Sequence, residues 1–152
     1  MGRAKITVSL KGDKELKRKL ERLGTRAQAA LGKAALAGAS PVKETANQMA
    51  PGPHIITSEP VVNGSQASVD IGPDEEHWAY RFNEFGAKPH EISGSPLIFE
   101  GRNGLVITKT VQHPGLTARP FLRPAASSQQ NAARDAAGNV FKKEIDALTE
   151  GG

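Results

Sequence analysis

Nine of the ten prolines fall between Pro51 and Pro124, and this confines long helices to the two ends of the chain. Proline lacks a backbone N–H and clashes with the preceding helical turn, so a helical bundle through the middle is excluded. Residues 54–123 are left with hairpins and loops, and their patterning agrees. Val61-Val62-Asn63-Gly64 followed by Ala67, Val69 and Ile71 reads as a hairpin, because Asn-Gly accepts the positive φ angles of a tight turn. Leu97-Ile98-Phe99 and Leu105-Val106-Ile107 flank Gly101-Arg102-Asn103-Gly104, a second hairpin signal. Between the two, Asp74-Glu75-Glu76 opens a short helix carrying Trp78 to Phe85. The polar, Gly/Pro-broken stretch from Lys88 to Pro96 reads as a mobile loop.

The ends carry the regular elements. Within residues 1–12, Ile6, Val8 and Leu10 alternate with Thr7 and Ser9, the period of a half-buried strand. Gly12 ends it, and Asp13 caps a helix over 13–49. Leu16, Leu20, Leu23, Ala27, Ala30 and Ala34 fall at steps of three and four, and the stripe continues through Val42, Ala46 and Met49. Pro41 lies inside that helix and predicts a kink or short break near Ser40. The small residues between Ala27 and Ala39 allow another element to approach closely. Pro124 suits the first turn of a last helix over 124–149, where Ala133, Ala137, Phe141, Ile145 and Leu148 form a second stripe. The order predicts one α+β domain over 1–152, an antiparallel sheet of hairpins packed against a long kinked N-terminal helix and a C-terminal helix.

Composition removes several classes of chemistry. There is no cysteine, hence no disulfide scaffold and no thiol nucleophile. No run of 18 apolar residues is present to span a membrane, and Met1-Gly2-Arg3-Ala4-Lys5-Ile6 lacks a signal peptide's apolar core. His54, His77, His90 and His113 are scattered, and none has the i,i+4 spacing of a zinc helix, so no metal is expected. Nucleophile elbows and phosphate-binding glycine loops are missing as well. The expectation is an intracellular, soluble protein with no catalytic residues and no cofactor.

Two segments stand out from a generic core. In His77-Trp78-Ala79-Tyr80-Arg81-Phe82-Asn83-Glu84-Phe85-Gly86, helical spacing puts Trp78, Phe82 and Phe85 on one face, the natural core face. Tyr80, Arg81 and Glu84 then point outward as interface anchors and rim. In His113-Pro114-Gly115-Leu116-Thr117-Ala118-Arg119-Pro120-Phe121-Leu122-Arg123-Pro124-Ala125, the prolines stiffen the connector. Phe121-Leu122 dock the last helix, and Arg119 and Arg123 are placed for carboxylate partners.

Together with Ala50-Pro51, Ala79-Tyr80, Glu84-Phe85-Gly86, His113-Pro114-Gly115 and Arg119 through Ala125, the chain resembles the tail-component family of long-tailed double-stranded-DNA bacteriophages. These are small proteins of tail completion and the head–tail junction. The likeness runs in order over most of residues 10–148. It departs at Gly52-Pro53-His54-Ile55-Ile56, where the family often has Thr-Gly and a following Leu, and at Ala87, where threonine is usual.

The resemblance implies a structural virion protein made in the bacterial cytoplasm. It would form a homo-oligomeric ring of about six or twelve copies between the connector or stopper and the tail tube or tail terminator, with nonspecific DNA contact in the lumen. In such a ring, Tyr80, Arg81, Glu84, Arg119 and Arg123 are expected to contribute to subunit or neighbour contacts. Charge agrees with this independently. Residues 1–49 hold eleven Lys/Arg against four Asp/Glu, while residues 50–112 hold four against eight. That asymmetry suits head-to-tail association. The alternative from another class is a small basic nucleic-acid-binding protein, supported by a pI of about 9.5. Exposed aromatics interleaved with the basic residues, which stacking on bases requires, are missing from the pattern. A toxin-like or hydrolytic enzyme is the third reading, and the spacing reveals no convergent polar set for it.

Overall fold

The computed structural model describes residues 2, 4–11, 14, 15, 18, 21 and 24–150. Their elements, in order, are β1 (Ile6–Lys11), α1 (Thr25–Met49), β2 (Ile55–Thr57), β3 (Val61–Asn63), β4 (Gln66–Pro73), α2 (Tyr80–Phe85), β5 (His90–Gly101), β6 (Gly104–His113), α3 (Leu122–Ser128) and α4 (Gln130–Glu150). The fold is α+β, with both sheets antiparallel.

β4 is the centre of the first sheet. It pairs with β1 on one edge and with β2 and β3 in succession on the other. Its alternation is complete: Ala67, Val69, Ile71 and Pro73 are buried, and the residues between them are not. Ile6, Val8 and Leu10 of β1 sit opposite Ile71, Val69 and Ala67 and extend the same apolar face. The expected Asn63-Gly64 hairpin is present, with Gly64 at φ 60.

Helix α1 covers that face and is buried on two sides, because its small residues let two partners come close. A Cβ on Gly32 would meet Pro60 at 3.3 Å on the sheet side, and one on Gly38 would meet the Ala133 carbonyl of α4 at 3.0 Å. Leu31, Ala35, Ala39, Val42 and Ala46 fill the core with Val69, Ile71, Phe121 and Leu122. Lys33 and Glu144 tie α1 to α4 at 2.7 Å.

Four expectations change. The helix expected over 13–49 is interrupted at Gly24, which takes φ 65, a conformation no helix interior accommodates; the described residues Lys14, Glu15, Arg18 and Glu21 are helical before it. Gly12, Asp13, Leu16, Leu20 and Leu23 lie outside the described residues. Of the kink or short break expected near Ser40, the break is absent: α1 runs helically through Pro41, with Ala39 and Val42 buried. The last helix begins at Leu122, with Pro124 in its first turn, and is divided at Gln129 into α3 and α4. Finally, most of the loop expected from Lys88 to Pro96 is strand. β5 pairs with β6 from His90 onward, with an irregularity between Ser93 and Leu97 that includes the cis Ser95–Pro96 bond. Strand pairing across the hairpin satisfies the backbone of a segment whose side chains carry no strand pattern.

Two glycines test this packing with opposite signs. Gly38→Leu must push α4 off α1 and is expected to lower stability by about 1–3 kcal/mol. Gly138 on α4 is exposed with open space around its Cα, so Gly138→Ala is expected to raise stability by roughly 0.5–1 kcal/mol. Urea unfolding of both variants measures the two changes.

Candidate functional site

The two singled-out segments meet, and a carboxylate joins them. Helix α3 starts at Leu122 without a side-chain cap of its own, so its first N–H groups need acceptors. Glu84, from the last turn of α2, supplies them. One carboxylate oxygen accepts from the backbone N–H groups of Phe121 (2.7 Å) and Leu122 (2.9 Å). The other accepts from the N–H of Arg123 (3.2 Å) and from its Nε (3.1 Å). The same guanidinium donates to the Glu84 carbonyl at 3.3 Å and lies 5.7 Å from the Phe85 ring centre. Burial by itself pushes the Glu84 carboxyl up, but the three backbone N–H groups and Arg123 outweigh it and hold it below its ordinary 4.5.

Further contacts fix the connector along α2. Arg119 N–H donates to the Asn83 carbonyl at 2.6 Å, and Ala87 and Leu116 exchange two backbone hydrogen bonds. Gly86 at φ 74 and Gly115 at φ 83 make this approach possible. A Cβ on Gly86 would lie 2.8 Å from the Leu116 carbonyl.

This geometry turns α2 over relative to the sequence expectation. Glu84 does not point outward; it is 1% exposed. Tyr80, one turn earlier on the same face, packs half-buried against the core, edge-on to Phe121. Trp78 and Phe85, expected inside, are 48% and 64% exposed. The reason is chemical: orphan N–H groups need a carboxylate, and no aromatic face can serve them. Arg81 remains partly exposed, donating to the Gly2 carbonyl at 2.8 Å and lying 4.9 Å from the Phe82 ring centre. The Arg123 side chain is 64% exposed although bound to Glu84, and Arg119 is exposed. Exposed Trp78 and Phe85, with half-buried Phe82 beside Arg81, thus stand where Tyr80 and Glu84 were expected. Their shared helical face was legible in the sequence; its direction was not.

β5 and β6 carry a second exposed apolar surface. β5 and β6 extend from the body as a two-stranded arm whose cross-strand pairs are apolar on both faces. Ile98 pairs with Ile107 on one face, and Phe99 with Val106 on the other. Ile98, Phe99, Leu105, Val106 and Ile107 are all exposed. An isolated two-stranded hairpin is marginally stable in water, and apolar residues on both faces suit a strand pair covered on both sides.

The histidines are not scattered in space. His54 and His77 stack with ring centres 3.4 Å apart, and His90 and His113, directly opposite across β5 and β6, stack at 5.0 Å. Asp74 accompanies the first pair. Its Oδ1 lies 2.6 Å from His77 Nδ1, and its Oδ2 lies 3.6 Å from His54 Nδ1. The hydrogen bond with His77 is the main reason the Asp74 carboxyl sits below its ordinary range. The Asp74-x-x-His77 spacing was visible in the sequence, but His54 joins it only through strand pairing.

Glu84→Ala is expected to cost about 3 kcal/mol, since it leaves buried N–H groups without acceptors. A carboxyl whose folded-state value is lowered stabilises the fold above its unfolded value of about 4.5, and that contribution is lost as pH falls through the folded value. The stability gap between wild type and Glu84→Gln is therefore expected to narrow below about pH 4.5, which denaturant titrations from pH 7 to pH 3 measure.

Comparison of the chain with protein-family models, curated proteins and solved structures gives no match.

Proposed function

We propose that this chain is a structural virion protein of a tailed bacteriophage or phage-like particle, a ring subunit at the head–tail junction that joins the connector to the tail tube. The observation that carries the reading is the β5–β6 arm. A strand of 12 residues extends about 40 Å at 3.3–3.4 Å per residue. An arm of that length with apolar faces on both sides fits a place between neighbouring copies, where assembly covers it. Residues 90–113 carry Arg102 and Lys109 against Glu91 and Glu100, a net of zero. A neutral apolar arm suits a protein partner and offers little to a phosphate backbone, which weighs against the nucleic-acid alternative.

Three further features support the same reading. Glu84 and the Arg119 to Ala125 segment, among the residues that carry the resemblance to phage tail components, are joined by hydrogen bonds into one unit. The exposed Trp78 and Phe85 with Arg81, and the exposed Arg119 and Arg123, have the composition of interface anchors. The basic N-terminal third and acidic middle are complementary between successive subunits. Glu84 and Tyr80 serve this function indirectly, by fixing the surface on which the exposed residues stand.

Quantitative mass spectrometry of purified tailed particles tests the proposal. A stoichiometry of about six or twelve copies per particle is the expected result for a closed ring; absence from intact tailed particles overturns it. On the isolated protein, the double substitution Leu105→Glu and Ile107→Glu is expected to leave the far-ultraviolet circular dichroism of the body unchanged. It is expected to abolish concentration-dependent self-association in sedimentation velocity. Arg119→Glu is expected to reduce incorporation into particles without changing thermal stability.

A further inference from the structure

We propose that His54, Asp74 and His77 form a binding site for a divalent transition-metal cation of the zinc class. Three residues from different parts of the chain converge here: one ligand atom from each lies within 4.8 Å of the other two. The set is two imidazoles and one carboxylate, the donor chemistry that borderline cations such as zinc select, and three protein ligands leave a fourth position open to water.

The backbone holds all three in place before any ion arrives. β2 pairs with β4 through Ile55 and Pro73, and Asp74 N–H donates to the His54 carbonyl at 3.0 Å, carrying the ladder one step beyond the strands. His54 and Asp74 are therefore fixed side by side. His77 is fixed by the turn that follows, in which its backbone N–H donates to Asp74 Oδ1 at 2.9 Å. Tyr80 backs the site, with its ring centre 5.3 Å from that of His77 and 6.2 Å from that of His54.

Both Nδ1 atoms face the same carboxylate, yet the rings are nearly parallel, with an interplanar angle of 9°. Bonds of about 2.0–2.1 Å to a tetrahedral ion put ligand atoms roughly 3.3 Å apart. Binding thus requires the rings to splay and the proton that His77 Nδ1 shares with Asp74 to move to Nε2, so that both Nδ1 lone pairs meet at one point. The side chains are 40%, 29% and 28% exposed for His54, Asp74 and His77, so they have an open side on which to turn. His90 and His113 provide an internal control. They stack, but the Nδ1 of His90 lies 2.9 Å from the Lys88 carbonyl and that of His113 accepts the Gly115 N–H at 3.0 Å. The Glu91 carboxylate beside them accepts from Gln112.

Titration of the untagged, chelator-treated full chain with zinc chloride, followed by calorimetry, tests the site. One zinc per chain, bound saturably in the micromolar range, is expected. His54→Gln and His77→Gln are each expected to weaken binding by at least about tenfold, and His113→Gln is expected to leave it unchanged. His54→Gln is the decisive variant, since His54 takes no part in the Asp74–His77 turn and its loss spares the fold. Zinc added to the wild type is also expected to shift the imidazole nitrogen resonances of His54 and His77 and to spare those of His90 and His113. Absence of saturable uptake, uptake retained in the His54→Gln/His77→Gln pair, or resonance shifts confined to His90 and His113 would each overturn the proposal.

Discussion

One carboxylate joins α2 to the start of α3. Glu84 is almost fully buried, and it stays ionised because three backbone N–H groups at the start of α3 and the Arg123 side chain satisfy it. The exchange is mutual: without Glu84 the helix opens onto the core with orphan donors, and without α3 the carboxylate is stranded. Because the cap comes from a residue 37 positions earlier in the chain, it closes a long loop. The β5–β6 arm springs from inside that loop. Gly86 and Gly115 then allow the two chain segments to run in direct backbone contact at the arm's base.

The remainder of the body is built on close approach. α1 is rich in alanine and glycine along its buried sides, so each residue buries little area, and stability comes from bringing the sheet and α4 near to the helix axis. In the arm, by contrast, Ile92, Ile98, Phe99, Leu105, Val106 and Ile107 are exposed. A body economical in apolar area, joined to an arm that leaves it uncovered, is a distribution that assembly into a larger particle would complete.

Much of the fold was legible because it rests on local patterns. The alternation in β1 and β4, the Asn63-Gly64 turn, the Gly101–Gly104 turn and the stripes of α1 and α4 each follow from a period or a turn chemistry contained in a few residues. The misreadings share a cause as well. Gly24 falls inside a continuous apolar stripe, and periodicity does not register a single residue at positive φ. Lys88 to Pro96 lacks strand composition and is ordered mainly by its partner β6. In α2 the periodicity marks the aromatic face, but hydrophobicity does not give its direction, because the core requires the Glu84 acceptor.

What the sequence by itself determined is the set of elements, their order and the concentration of unusual residues in two segments, since backbone sterics and side-chain periodicity act over a few positions. What only the tertiary structure decided is which distant residues meet. Glu84 reaches the N–H groups of Phe121 to Arg123, and His54 comes beside Asp74 and His77, through strand pairing and chain closure spanning tens of residues. Such meetings carry no period along the chain. They are set by the need to satisfy buried polar groups, a requirement that arises only once the chain has closed around them.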